Sequence, residues 1–149
     1  MVNNHSTRRV LAIVAVALLG AGCGGGSDGG GAANKAEWQD KYASAVSVVS
    51  DDIARSVQAL NAGQRPVLLS ECTQLQEDLT EARKAVPAPN PAVDDALRAA
   101  FDAAGTAVGT CVEGARIASE ASIIEQAQRE MKVARERYDA ARSAIEAWQ

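Results

Sequence analysis

An all-α fold, arranged as an antiparallel four-helix bundle with one disulfide between helices, is what residues 35–149 predict. Three observations carry that expectation. The segment is rich in Ala, Glu, Gln and Arg, which lose little on entering a helix, and the whole sequence holds one Phe, two Tyr and two Trp, too few for strand-rich packing. Its apolar residues recur at spacings of three and four rather than two. Asparagine, glycine and proline punctuate it at 61–63 and 87–91, cutting the pattern into lengths that a small bundle can use.

The first helix is expected to begin at Asn34, whose side chain suits an N-cap and which has Glu37 three residues on, as in a capping box. Trp38, Tyr42, Val46, Val49, Ile53, Val57 and Leu60 follow at spacings of 4, 4, 3, 4, 4 and 3, which keeps one stripe on a nearly straight helix. Asn61-Ala62-Gly63 supplies its stop. Pro66 fits the first turn of the second helix, whose narrow seam is Leu68, Cys72, Leu75, Leu79, Ala82 and Val86. Pro87-Ala88-Pro89 breaks that helix. Asn90 as cap, Pro91 in the first turn, and Asp94 with Asp95 at the positive end of the dipole start another.

The third helix carries Leu97, Phe101, Ala104, Val108, Cys111 and Ala115. Between Ala118 and Ile124 the stripe loses phase, and Ser122 to Glu125 has the form of a second capping box, so a tight turn is expected near Ser119. The alternative is one helix from Pro91 to Trp148, about 87 Å long, which would carry its stripe far past its partners. The fourth helix is the most regular. Ile124, Met131, Tyr138 and Ile145 hold one heptad position, and Ala127, Ala134, Ala141 and Trp148 the other. Alanine along a seam lets helices approach closely, and packing that tight leaves little interior volume for a ligand. Glu125 with Arg129, and Arg135 with Asp139, are spaced as solubilising i,i+4 pairs.

Cys72 stands near the start of the second helix and Cys111 toward the end of the third, at one level of an antiparallel pair. A disulfide between them is expected, and closing a loop of that length stabilises a fold by about 4 kcal/mol in the chain-entropy model. It requires Cα atoms within about 6.8 Å, closer than helix axes usually come. Gly105 and Gly109 offer the bare backbone for that approach. Asp102 and Glu113 oppose reading the same pair as a membrane GxxxG contact, and a redox-active pair would use a CxxC.

Ahead of the bundle, Arg8 and Arg9 precede about ten apolar residues, Val10 to Leu19, the length of a secretory core and too short to span a bilayer. Gly20-Ala21-Gly22-Cys23 follows. This run resembles the signal sequence and lipobox of a bacterial lipoprotein, although Gly20 stands where that family usually has Leu. The resemblance implies removal of residues 1–22 and acylation of Cys23, palmitate included, anchoring the chain to the outer face of the cytoplasmic membrane. Ordinary signal-peptidase cleavage is the alternative and would leave Cys23 a thiol or a disulfide partner. Thr7 to Leu11 also has some of the form of a twin-arginine signal, so either export route stays open. Residues 23–34 then form a Gly-rich tether, with a coil reach of about 18 Å. The glycine-rich linker and the Ala/Arg-rich composition are similar to those of small lipoproteins of high-GC Gram-positive bacteria.

These readings exclude several function classes. His5 is the only histidine and falls in the segment expected to be removed, which leaves no imidazole for a catalytic triad, haem or a di-iron bundle. Removing residues 1–22 takes two of fifteen basic residues and none of nineteen acids, leaving a side-chain sum of −6 that disfavours nucleic acid. Two remaining cysteines make no structural zinc site, and no cofactor is expected. The acids at Asp51-Asp52, Glu71, Glu77, Asp78 and Glu81 read as solvated faces, so a carboxylate hydrolase built on Asp51-Asp52, or on Glu77 with Glu81, lacks a cleft and a nucleophile. Trp38 opens the first helix and Trp148 nearly ends the fourth, so up-down-up-down topology puts both at the membrane-proximal end, as a core plug or as a contact with lipid or a membrane partner. The expected function is therefore a non-enzymatic binding or accessory module of the cell envelope, acting through protein contacts with an unidentified envelope protein. Small-ligand or lipid binding between helices is the alternative, and the sequence leaves the oligomeric state open.

Overall fold

The computed structural model describes residues 29–117 and 121–148, with side chains from residue 34 onward. The expected signal segment, Cys23, the first part of the tether and the turn at Ser119 lie outside the described residues. Four α-helices are described: α1 (Gly29–Ala62), α2 (Arg65–Ala82), α3 (Pro91–Arg116) and α4 (Ala121–Ala147). They pack in an antiparallel ring, α1 on α2, α2 on α3, α3 on α4 and α4 back on α1, with α3 against α4 the most extensive seam. Contacts between distant positions fix the alternation. Asn61 at the end of α1 meets Gln128 near the start of α4, Arg65 at the start of α2 donates to the Ile117 carbonyl past the end of α3, and Lys35 reaches the Trp148 carbonyl.

The helix boundaries separate the signals that act from those that do not. Asn90 accepts from the backbone N–H groups of Ala92 and Val93 at 2.9 and 3.1 Å, and Pro91 opens α3, as their residue types require. Asp94 accepts from the Ala88 N–H at 2.7 Å and from Arg98 at 2.7 Å. The Arg98 bond first, and the Ala88 bond after it, hold the Asp94 carboxyl below the usual carboxylate range. Asn34, by contrast, lies inside α1, which starts at Gly29, so the expected capping box with Glu37 does not open the helix. A helix already nucleated downstream adds residues without repeating the nucleation cost, so its start need not coincide with the first side chain able to cap. Ser122 is likewise the second residue of α4 rather than its cap. The second helix stops at Ala82, four residues short of Val86. A 3₁₀ turn over Arg83–Ala85 follows, and Val86 is extended before the cis Val86–Pro87 peptide.

The core is the set of stripes the periodicity defines. Val49, Ile53, Leu68, Leu75, Leu97, Phe101 and Met131 are buried, as are Ala127, Ala134 and Ala141 on the α4 seam. Phe101 crosses from α3 to meet Tyr138 edge-on at 6.0 Å between ring centroids. Burial pushes the Tyr138 hydroxyl pKa well above its ordinary value, so it stays protonated. On the surface, Glu125 and Arg129 pair at 3.9 Å, but Asp139 pairs with Arg142 at 3.2 Å rather than with Arg135. Helix side chains lean toward the N-terminus, so a base reaches back to a preceding acid more readily than an acid reaches back to a base.

The glycines have other roles than the sequence suggested. A Cβ on Gly105 would lie 2.9 Å from the guanidinium of Arg83, which donates to the Phe101 carbonyl at 2.8 Å, so this glycine makes room for an arginine lying on the α3 backbone. A Cβ placed on Gly109 would meet nothing from elsewhere in the fold within 4 Å, whereas one on Gly114 would lie 3.0 Å from Ile124 and 3.2 Å from Ile123 of α4, so the close helix contact is made there. Gly63 turns the chain between α1 and α2 with φ of 66°. Gly109→Ala is therefore expected to raise stability by about 0.5–1 kcal/mol through helix propensity, and Gly63→Ala to lower it by about 1–2 kcal/mol. Urea midpoints of the two variants, moving in opposite directions, check this pair.

Candidate functional site

The bundle joins Cys72 on α2 to Cys111 on α3 in a disulfide, with the Cα atoms 6.1 Å apart and both residues fully buried. Each occupies its helix's apolar stripe, so the bond replaces a packing contact in the core. Neither sulfur has solvent access for exchange chemistry.

At the end of the bundle where α1 begins, Trp38 and Trp148 pack edge to face with ring centroids 5.7 Å apart. They are 4% and 5% exposed, and the Trp38 indole N–H donates to the Ala85 carbonyl at 2.9 Å. The two rings close the base of the core, and Tyr42 extends the cluster at 6.0 Å from Trp38.

The acidic residues sort by burial in a way that periodicity alone did not show. Asp51 is exposed, but its neighbour Asp52 is 0% exposed, which corrects the reading of both as surface positions. One Asp52 carboxylate oxygen accepts from Arg55, whose guanidinium also reaches Glu71 on α2 at 3.2 Å. The other oxygen is buried with no partner, as is the Ser56 hydroxyl one turn on. A buried polar atom without a partner costs stability, and Arg55, half in solvent and still paired to Glu71, does not need Asp52. Asp52→Asn is expected to raise stability by about 1–2 kcal/mol in urea unfolding; a loss instead would show the carboxylate to be fully paired in solution. Glu77 and Glu81 are exposed, and Glu81 pairs with Lys84 at 2.6 Å. Among the described residues no three of His, Cys, Asp and Glu gather as metal ligands.

One recess lies between α1 and α4, a groove of about 350 Å3 in the half nearest the two tryptophans, and a second of about 340 Å3 lies between α1 and α2. The floor of the first is Val46, Tyr138 and Ile145, and its rim carries Asp51, Asp139, Arg142 and Glu146. The cause is local. Small residues on α1, Ala43, Ser47 and Ser50, face large ones on α4, so their side chains do not fill the space that Tyr138 and Ile145 hold open. Alanine closes the α3–α4 seam as expected, whereas the α1–α4 seam stays open along this stretch.

None of the described helices is long and apolar enough to cross a membrane. Compared with protein-family models, curated proteins and solved structures, the chain matches none, so its function rests on its own residues.

Proposed function

We propose that the chain is an exported, lipid-anchored and non-enzymatic accessory module of the cell envelope, which acts by contacting another envelope protein. The anchor is the acyl group on Cys23, added after removal of residues 1–22. The observation that carries the reading is the position of α1. Its first residue, Gly29, follows Cys23 by six residues, at most about 21 Å of extended chain, so an anchored Cys23 keeps the bundle within reach of proteins embedded in the same membrane. The buried disulfide supports export, because such bonds persist in oxidising compartments outside the cytoplasm. The division of Asp51 from Asp52, one solvated and one enclosed, supports a binding role over carboxylate chemistry.

Photo-crosslinking in intact cells from an exposed position at the tether end, such as Glu37 or Lys41, tests the proposal. A reproducible membrane-protein adduct is expected, and it should be lost when Cys23→Ala releases the chain from the membrane. An adduct pattern unchanged by Cys23→Ala, or none from either position, would overturn the reading.

A further inference from the structure

We propose that the groove between α1 and α4 is a binding site for an amphipathic organic cation, an apolar body carrying an amine or guanidine. This goes beyond the accessory role and does not depend on it. The volume, about 350 Å3, falls within the range of small-ligand sites, and the apolar floor of Val46, Tyr138 and Ile145 is what such a body would cover. The rim decides the sign of the charge. Three carboxylates, Asp51, Asp139 and Glu146, face a single guanidinium, and Arg142 already engages Asp139 at 3.2 Å and Glu146 at 3.9 Å. An anion would have to pull Arg142 out of those pairs. A cation meets Asp51, which makes no ion pair among the described residues, and leaves them intact. The surplus of acid over base along the chain draws cations toward it at longer range.

Three probes that share one apolar body and differ in charge separate the outcomes: 4-phenylbutylammonium, 4-phenylbutanoate and 4-phenylbutanol. Each is titrated into the full chain carrying Cys23→Ser, so that no acyl group competes, and binding is followed through backbone amide resonances. The ammonium probe should move Ala43, Ser47, Ser50 and Ile145 and bind at least fivefold more tightly than the other two. Asp51→Asn should weaken it about threefold, and added salt should narrow the gap between the probes. Ser47→Trp, at an exposed helix position on the groove wall, should abolish binding of all three. Tighter binding of the butanoate, equal binding of all three, shifts confined to another face, or no saturation by about 10 mM ammonium probe would each overturn the proposal.

Discussion

Replacing both Cys72 and Cys111 with alanine is expected to lower the stability of the bundle by about 4 kcal/mol. The bond joins positions 39 residues apart, so without it the unfolded chain recovers the freedom of a long loop. The two alanines also leave a small void where fully buried sulfurs stood. For a domain of this size the loss corresponds to about 15 °C in Tm. Differential scanning calorimetry of the native and double-alanine chains, with native protein under reductant as a third sample, measures it. The reduced sample should resemble the variant once the buried bond has been opened. A shift of only a few degrees would mean that packing of α2 on α3, rather than the crosslink, holds that side of the bundle.

Phe101→Ala is expected to cost about 3–5 kcal/mol. Its ring is the largest fully buried side chain and spans from α3 to Tyr138 on α4, the pair of helices with the most extensive contact. Truncation removes that edge-on contact and leaves a cavity which alanine-lined neighbours cannot collapse to fill. Ala100, Ala104, Ala134 and Ala141 are already buried, and their short side chains have no rotamers with which to reach inward. Phe101→Leu should cost less, because it keeps most of the volume. The urea midpoint should fall with little change in m, as expected when the unfolded state and the buried area stay similar.

Much of this architecture was legible in the residues, for a physical reason. In a bundle the only thing a helix needs to specify is which stripe faces inward, and the spacings of Trp38 to Leu60, Leu68 to Ala82, Leu97 to Ala115 and Ile124 to Trp148 do so directly. The break between α3 and α4 was visible as a loss of phase, and the disulfide as two stripe cysteines at one level. What escaped the sequence depends on three-dimensional context. Asp52 looks like its neighbour Asp51, yet a rotation of about 100° per residue puts one in the core and the other in water. Gly105 and Gly109 look equivalent, but an arginine from the segment after α2 fills the first position and nothing fills the second. The groove was missed because it arises from a mismatch between two helices. The small α1 residues had no meaning until Tyr138 and Ile145 were seen opposite them. Its only trace in the sequence was the set of small residues at Ala43, Ser47 and Ser50, on the flank of the first helix beside Val46.

One measurement addresses both where the working chain begins and the state of its cysteines. Protein extracted from cell membranes with all thiols alkylated, and weighed intact without reduction, should have the mass of residues 23–149 plus an acylated glycerol, with no alkyl group on Cys72 or Cys111. A mass that still includes residues 1–22, an unmodified Cys23, or alkylation at both Cys72 and Cys111 would contradict it.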